Sequence, residues 1–198
     1  MNYLRLTPAS PFGRKCHIAA RYLGLMDRIK VVQNEDDEGD KIRSHNPLNK
    51  IPMLLTSDHQ AIFDSGVIMD CLDDMAGGGK IIPRDASRFA VLTQQALADG
   101  MLDAAILVVY EKNWREDGQH SEKWLEHQRK KMNKTLDYWE HHVPSRAIDA
   151  GTIAVASALG YLDLRFKGEW RAHYPKLVEW LAHFENAVPA YQQTYVAP

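Results

Sequence analysis

Two places in this chain set a hydroxyl at the start of a helix, where an anion can be handled. In Ala9-Ser10-Pro11-Phe12-Gly13-Arg14-Lys15, a serine stands before a proline and ahead of an apolar stripe of Ile18, Ala19, Tyr22 and Leu23. Ser10 is a good N-cap, and Pro11 at N1 loses nothing by lacking an N–H. A helix start also offers free backbone amides and the positive end of the dipole, so a hydroxyl there either caps the turn or helps to hold an anion. Asp64-Ser65 follows the short apolar run Ile62-Phe63 and repeats the arrangement. That pair caps a helix, receives a carboxylate or, through Asp64, meets an ammonium group. Between the two lies Asn46-Pro47-Leu48-Asn49-Lys50-Ile51-Pro52, in which Lys50 is either a solvated cation or a partner for a carboxylate. Other chemistries find less support. Cys16 and Cys71 form no Cys-x-x-Cys pair, which disfavours disulfide exchange, and both read as small buried apolar residues. The nine histidines include His141-His142 but no helical His-x-x-x-His, so no metal site is expected.

The elements that must carry these groups follow from the apolar pattern. Strands are predicted at Tyr3–Leu6, Ile29–Val32, Met53–Leu55 and Ile62–Phe63, the last two joined by Thr56-Ser57-Asp58-His59-Gln60 as a hairpin connection. One helix starts at Ser10 and ends with Gly24 at C′; a short one precedes Met53; another runs from Ser65 to Met75. That order is α/β with a small mixed sheet. Glu35-Asp36-Asp37-Glu38 reads as a solvated, mobile run. Ala76-Gly77-Gly78-Gly79 and the following Ile81-Ile82-Pro83-Arg84-Asp85 break the pattern, giving a first domain over 1–75, a linker over 76–85 and a second domain over 86–198. The second domain is helical. Leu92, Leu97, Met101, Leu102, Ala105, Ile106 and Val109 recur at helical spacing over 86–113, as do Trp124, Leu125, Met132, Leu136 and Trp139 on a second helix, and Leu177, Trp180, Leu181 and Phe184 over 174–186. Residues 153–164, reading IAVASALGYLDL, are apolar almost all round and predict a central buried helix. Trp114, Trp124 and Trp139 read as core or interface residues.

That buried helix has a compact start. With Asp149 as N-cap, Thr152 falls at N3, and Ile148 and Ile153 are placed for a hydrophobic staple. The cap role accounts for Asp149 without catalysis. Composition sets the outer bounds. The chain has 198 residues, 45% hydrophobic and 25% charged, with a net charge of −2. A sizeable core is affordable, and the basic excess of a nucleic-acid binder is absent. Two cysteines make no disulfide framework. The beginning MNYLRLTPASPFGRK lacks a signal-peptide pattern, and no unbroken run of 18 apolar residues occurs. The expectation is a soluble, cytoplasmic protein without a membrane span.

Taken together and in order, the segments resemble those of a cytosolic glutathione S-transferase, and the resemblance extends over essentially the whole chain. The S-P-F-x-R-K run is similar to the first turn of that family's N-terminal domain in a bacterial subgroup. N-P-x-x-K-I-P-x-L is similar to its cis-proline segment, and D-S to its γ-glutamyl site. One departure is visible: many relatives begin the buried helix Ser/Thr-x-x-Asp, and here acid and hydroxyl are exchanged as Asp149-x-x-Thr152.

The resemblance implies a thioredoxin-like N-terminal domain, an all-helical C-terminal domain, glutathione as co-substrate, no metal and a homodimer whose interface includes the helices over 65–75 and 86–113. It implies that Ser10 donates to the glutathione thiolate, lowering its pKa for attack on a small electrophile, with Arg14 and Lys15 adding positive charge. Hydrogen bonding to the charged form of a thiol favours that form. Phe12, Lys50, Ile51, Asp64 and Ser65 would bind glutathione. A cis bond at Pro52 would turn the Ile51 backbone to the ligand, and Phe12 packs on the tripeptide or on the core. The electrophile pocket would lie between the halves, with Ile106 and Tyr110 in its wall. Two other readings stay open: a protein of this fold that binds without conjugating, and an isomerase using glutathione as cofactor. The retention of Ser10, Asp64 and Ser65 favours the transferase.

Overall fold

Period-two alternation builds the sheet and decides what lies on each face. The structure is a computed structural model and describes residues 1–33, 41–116 and 118–196. The acidic run Glu35–Glu38 lies outside the described residues. Strands β1 (Asn2–Leu6), β2 (Ile29–Gln33), β3 (Met53–Leu55) and β4 (Ala61–Phe63) form a mixed sheet in the order β2-β1-β3-β4. β1 runs parallel to β2 and antiparallel to β3, and β3 runs antiparallel to β4; Leu4 stands opposite Val31 on one side and Leu54 on the other. Successive side chains point to opposite faces. Leu4, Leu6 and Leu54 therefore enter the main core, where helices α1 (Pro11–Tyr22) and α2 (Ser65–Met75) also bury their apolar residues. Met53, Leu55 and Val32 gather with Ile42 in a smaller cluster on the far face.

Local signals set the ends of α1. Ser10 Oγ accepts from the Gly13 N–H at 3.1 Å. At the other end Gly24, at φ 70°, allows the Leu25 N–H to reach Ala20 O at 2.9 Å and the Gly24 N–H to reach Arg21 O at 3.1 Å. That paired bonding is a Schellman motif, and its left-handed residue favours glycine. Between β2 and β3 the described residues hold a helical turn at 41–43.

The glycine-rich stretch after α2 is tied down. The buried Asp73 carboxylate accepts from the N–H groups of Gly79, Lys80 and Ile81 at 2.6 to 2.8 Å, and Ile81 and Ile82 are fully buried. Gly77, Gly78 and Gly79 all have positive φ, and a Cβ on Gly78 would collide with the Arg84 guanidinium.

The rest of the chain is helical: α3 (Arg88–Trp114), α4 (Glu122–His141), α5 (Ala150–Phe166), a 3-10 turn (Glu169–Ala172), α6 (Pro175–Ala187) and α7 (Pro189–Gln193). The 3-10 turn and α7 add to the predicted set. Every residue of α5 from Ala150 to Leu162 is buried, as its all-round apolarity predicts. Its capping box is complete: Asp149 Oδ1 accepts from the Thr152 N–H at 2.8 Å, and the Asp149 N–H donates to Thr152 Oγ1 at 3.0 Å. Such a cap contributes about 1 kcal/mol. At Gly151 a Cβ would come within 2.9 Å of Val91 O, so glycine sets how closely α5 approaches α3.

α3 is long and apolar enough to cross a membrane by length and composition, its most apolar 18-residue window reaching a mean hydropathy of 1.2. In this fold it packs along α5 and α4. Trp139 is fully buried, whereas Trp114 and Trp124 are exposed. Cys16 is buried and Cys71 only half-buried; both are free thiols. Burial pushes the Cys16 thiol up to about 12, so it is an inert core residue.

Candidate functional site

The start of α1, the turn before β3 and the start of α2 meet around one cavity of about 370 Å³. Phe12, Lys50, Ile51, Pro52, Asp64 and Ser65 all line it, joined by Asn46, Leu48, Phe63, Asp99 and Asp103. The Ile51–Pro52 peptide is cis. Asn46 holds the turn by donating from Nδ2 to Lys50 O at 3.0 Å and accepting from the Leu48 N–H at 3.0 Å. Asp64 caps α2, accepting from the N–H groups of Gly66 at 2.8 Å and Val67 at 3.4 Å. It does so at φ 70° and ψ 125°, a backbone region costly for a non-glycine residue and concentrated at ligand clamps.

Ser10 lines a second, smaller cavity at the same helix start. Its other walls are Pro8, Ala9, Pro11, Arg14, Ser157, Gly160, Tyr161, Leu164 and Val196. Phe12 belongs to the larger cavity and Ser10 to the smaller, so the first turn of α1 divides the two. Ile106 lines neither. Tyr110 borders a separate surface depression with Leu107, Trp114 and Trp124. Its hydroxyl is near enough to that of Tyr161 to help push the latter up.

The two basic residues after Phe12 are not surface charges. Lys15 is fully buried, and its Nζ donates to both Asp99 oxygens at 2.7 and 2.8 Å. Its charge is thereby neutralised rather than added to the helix start. Arg14 is also buried; it donates from Nη2 to Tyr191 O at 3.0 Å, lies 4.1 Å from the Tyr191 ring centroid, and has no carboxylate partner among the described residues. Of the pair, only Arg14 supplies uncompensated positive charge beside Ser10.

The larger cavity has the opposite sign. Burial pushes the Asp99 carboxyl up, Lys15 pulls it back, and the neighbouring Asp64 and Asp103 push it up again. Asp64, Asp99 and Asp103 against Lys15 and Lys50 leave a surplus of one negative charge that a cation would relieve.

Asp99, Asp103, Ser157 and Tyr161 were not singled out in the sequence. A serine and a tyrosine inside an otherwise apolar helix are the one local signal that could have drawn attention to the last two. No cluster of three or more His, Cys, Asp or Glu suited to a metal occurs among the described residues.

Residues 9–75 match the family model described as glutathione S-transferase, N-terminal domain. The chain is 35% identical over 181 residues to the uncharacterized GST-like protein YibF of Escherichia coli K12, covering 86% of this chain and 88% of that protein. Among solved structures, a glutathione transferase family member from Pseudomonas fluorescens Pf-5 with bound glutathione superposes at a TM-score of 0.90, with 36% identity over the whole of both chains. A structure of a Pseudomonas fluorescens Pf-5 family member with bound S-(propanoic acid)-glutathione gives 0.87 and 35%, again over both whole chains. Agreement of this extent in sequence and fold places the chain in the glutathione S-transferase family.

Proposed function

We propose that the protein is a glutathione transferase that binds glutathione in the larger cavity and activates its thiol at Ser10 for attack on a small electrophile. The observation that carries this reading is the convergence of Phe12, Lys50, Ile51, Asp64 and Ser65, distant in sequence, on one cavity beside the Ser10 helix start. Glutathione carries two carboxylates, an ammonium and a thiol, and each finds a complement. Ser65 at the start of α2 receives the γ-glutamyl carboxylate. The surplus of Asp64, Asp99 and Asp103 holds the ammonium. The Ile51 backbone pairs with the cysteinyl residue, Phe12 packs on the tripeptide, and Lys50 meets the second carboxylate. The thiol then points to the α1 start, where Ser10 and the buried Arg14 favour the anion. The relative that holds S-(propanoic acid)-glutathione supports a site with room for a conjugate as well as for free glutathione.

In this reading residues 1–75 are the glutathione-binding domain, 76–85 the connection and 86–198 the domain that shapes the electrophile site. The active form is a homodimer. Val67 on α2 and Phe89 at the start of α3 are exposed large apolar residues on neighbouring helices, which supports an interface there. A sedimenting species of monomer mass at micromolar concentration would overturn the dimer.

The function is tested by calorimetric titration with glutathione, followed by a pH scan of thiolate absorbance in the complex. Wild type is expected to bind, with a thiol pKa below the ordinary value of about 8.5. Ser65→Ala is expected to weaken binding by about tenfold, the worth of one charge-assisted hydrogen bond. Absence of binding at millimolar glutathione would refute the reading, and binding with an unshifted thiol would make the protein a binder rather than a transferase.

A further inference from the structure

A row of basic side chains runs along α1 on the side that meets the last described residues. Arg14, His17 and Arg21 follow one another at three and four residues, which sets them on one face of the helix. Arg14 is buried and has no carboxylate partner among the described residues. Its Nε donates to Thr194 Oγ1 at 3.4 Å and its Nη2 to Tyr191 O at 3.0 Å, both neutral acceptors. A buried charge with only neutral partners is costly, and an anion relieves that cost. The carboxylates that act on the adjacent Tyr191, Asp163 and Glu185, are engaged by Arg171 and by the Gln192 amide.

The row borders a cleft of about 180 Å³ between the β1–α1 turn, the end of β2 and residues 193–196. Its polar walls include Thr7, Arg14, His17, Gln193 and Thr194, and among the described residues no carboxylate lines it. It shares no residue with the cavity assigned to glutathione, and shares Pro8, Arg14 and Val196 with the smaller cavity at Ser10. Arg21 Nε donates to His17 Nε2 at 2.9 Å, so the ring proton sits on Nδ1 as a further donor. Burial, joined by the Arg21 charge, pushes His17 down to about 4, which keeps the ring neutral near pH 7. Arg21 Nη1 donates to Gln193 Oε1 at 3.2 Å, leaving the Gln193 NH2 to donate elsewhere. The volume is enough for a tetrahedral oxyanion and a water or two.

We propose that this cleft binds a small tetrahedral oxyanion of the sulfate or phosphate class, held by Arg14, His17, Thr7 and the Gln193 amide. Bound there, the anion engages the same charge that Arg14 lends to the Ser10 helix start. Occupancy therefore raises the pKa of a thiol bound next door, because one negative charge disfavours a second nearby. The binding depends only on the cleft; its effect on the thiol rests on the proposed thiol site at Ser10. The pair of cavities thus makes Arg14 a shared cation, and the oxyanion a brake on the thiolate.

The probe is sulfate, dianionic throughout the working range, against chloride at equal ionic strength. Sulfate is expected to bind saturably and to raise the His17 imidazole pKa, read by NMR, from about 4 by roughly one to three pH units. His17→Leu and Thr7→Val, which leave Arg14 in place, are each expected to weaken sulfate binding about tenfold, while glutathione binds as in wild type. In the glutathione complex, sulfate is expected to raise the thiol pKa and chloride to leave it unchanged. An unmoved His17 with no saturable sulfate binding would overturn the site. Saturable binding that leaves a lowered thiol pKa where it was would overturn the coupling through Arg14. A wild type that binds sulfate but not glutathione would keep the site and remove the transferase reading.

Discussion

Replacing Ser10 by alanine is expected to lower kcat/KM about 100-fold, the usual cost of losing one donor to a developing or resident anion. The glutathione Kd should change little, because the groups assigned to the tripeptide line the neighbouring cavity and Ser10 does not. The loss has a definite pH dependence. In the proposed mechanism Ser10 favours the thiolate, so without it the bound thiol pKa is expected to rise toward about 8.5. The deficit is then largest at neutral pH and narrows as the pH passes the raised value. The same substitution removes the N-cap that accepts from Gly13 and costs about 1 kcal/mol of stability. Steady-state rates from pH 6 to 9, beside a thermal melt, separate the two roles. A variant that loses stability but keeps the wild-type rate profile would reduce Ser10 to a cap.

Asp99→Ala is expected to destabilise the fold by about 3 kcal/mol or more, because it strands a buried charge. The asymmetry of the pair makes the prediction specific. The Lys15 side chain is 0% exposed, whereas that of Asp99 is 23% exposed at the cavity wall. Removing the carboxylate leaves an ammonium with no water; removing the ammonium leaves a carboxylate that can reach solvent. Lys15→Met should therefore cost less than Asp99→Ala. The double variant Lys15→Met/Asp99→Leu should recover most of the loss, since an apolar pair of similar volume often serves as well as a buried ion pair. Urea midpoints measure all three. Equal midpoints for Asp99→Ala and wild type would mean that the lysine does not depend on this partner.

Features written into adjacent residues were the ones legible in the sequence. The α1 cap at Ser10, its end at Gly24, the hairpin at 56–60 and the Asp149–Thr152 box each depend on residues within a few positions of one another. What could not be read were contacts whose partners lie far along the chain. Arg14 and Lys15 looked like two similar charges in one helical turn. Their difference comes from Asp99, 84 residues on, and from Tyr191, 177 residues on. Ile106 and Tyr110 fit the α3 periodicity, whereas the distant residues that share a cavity with Ser10 include Ser157 and Tyr161 of α5, which no local pattern links to it. The glycine stretch read as a loose linker because composition does not show a carboxylate such as Asp73 bonding back to it.

The bond from Arg14 to Tyr191 also bears on how the chain is made. A ribosome adding about 5 to 20 residues per second needs roughly 10 to 35 s to cover that distance, which is 177 residues. Throughout that interval α1 is complete in sequence, yet its guanidinium has nowhere to bury. The nascent first half can form its sheet and the local Ser10 cap, but the Arg14 guanidinium gains its carbonyl partner only once residue 191 is present. The charge beside Ser10 is thus settled by a segment made long after the helix that bears it.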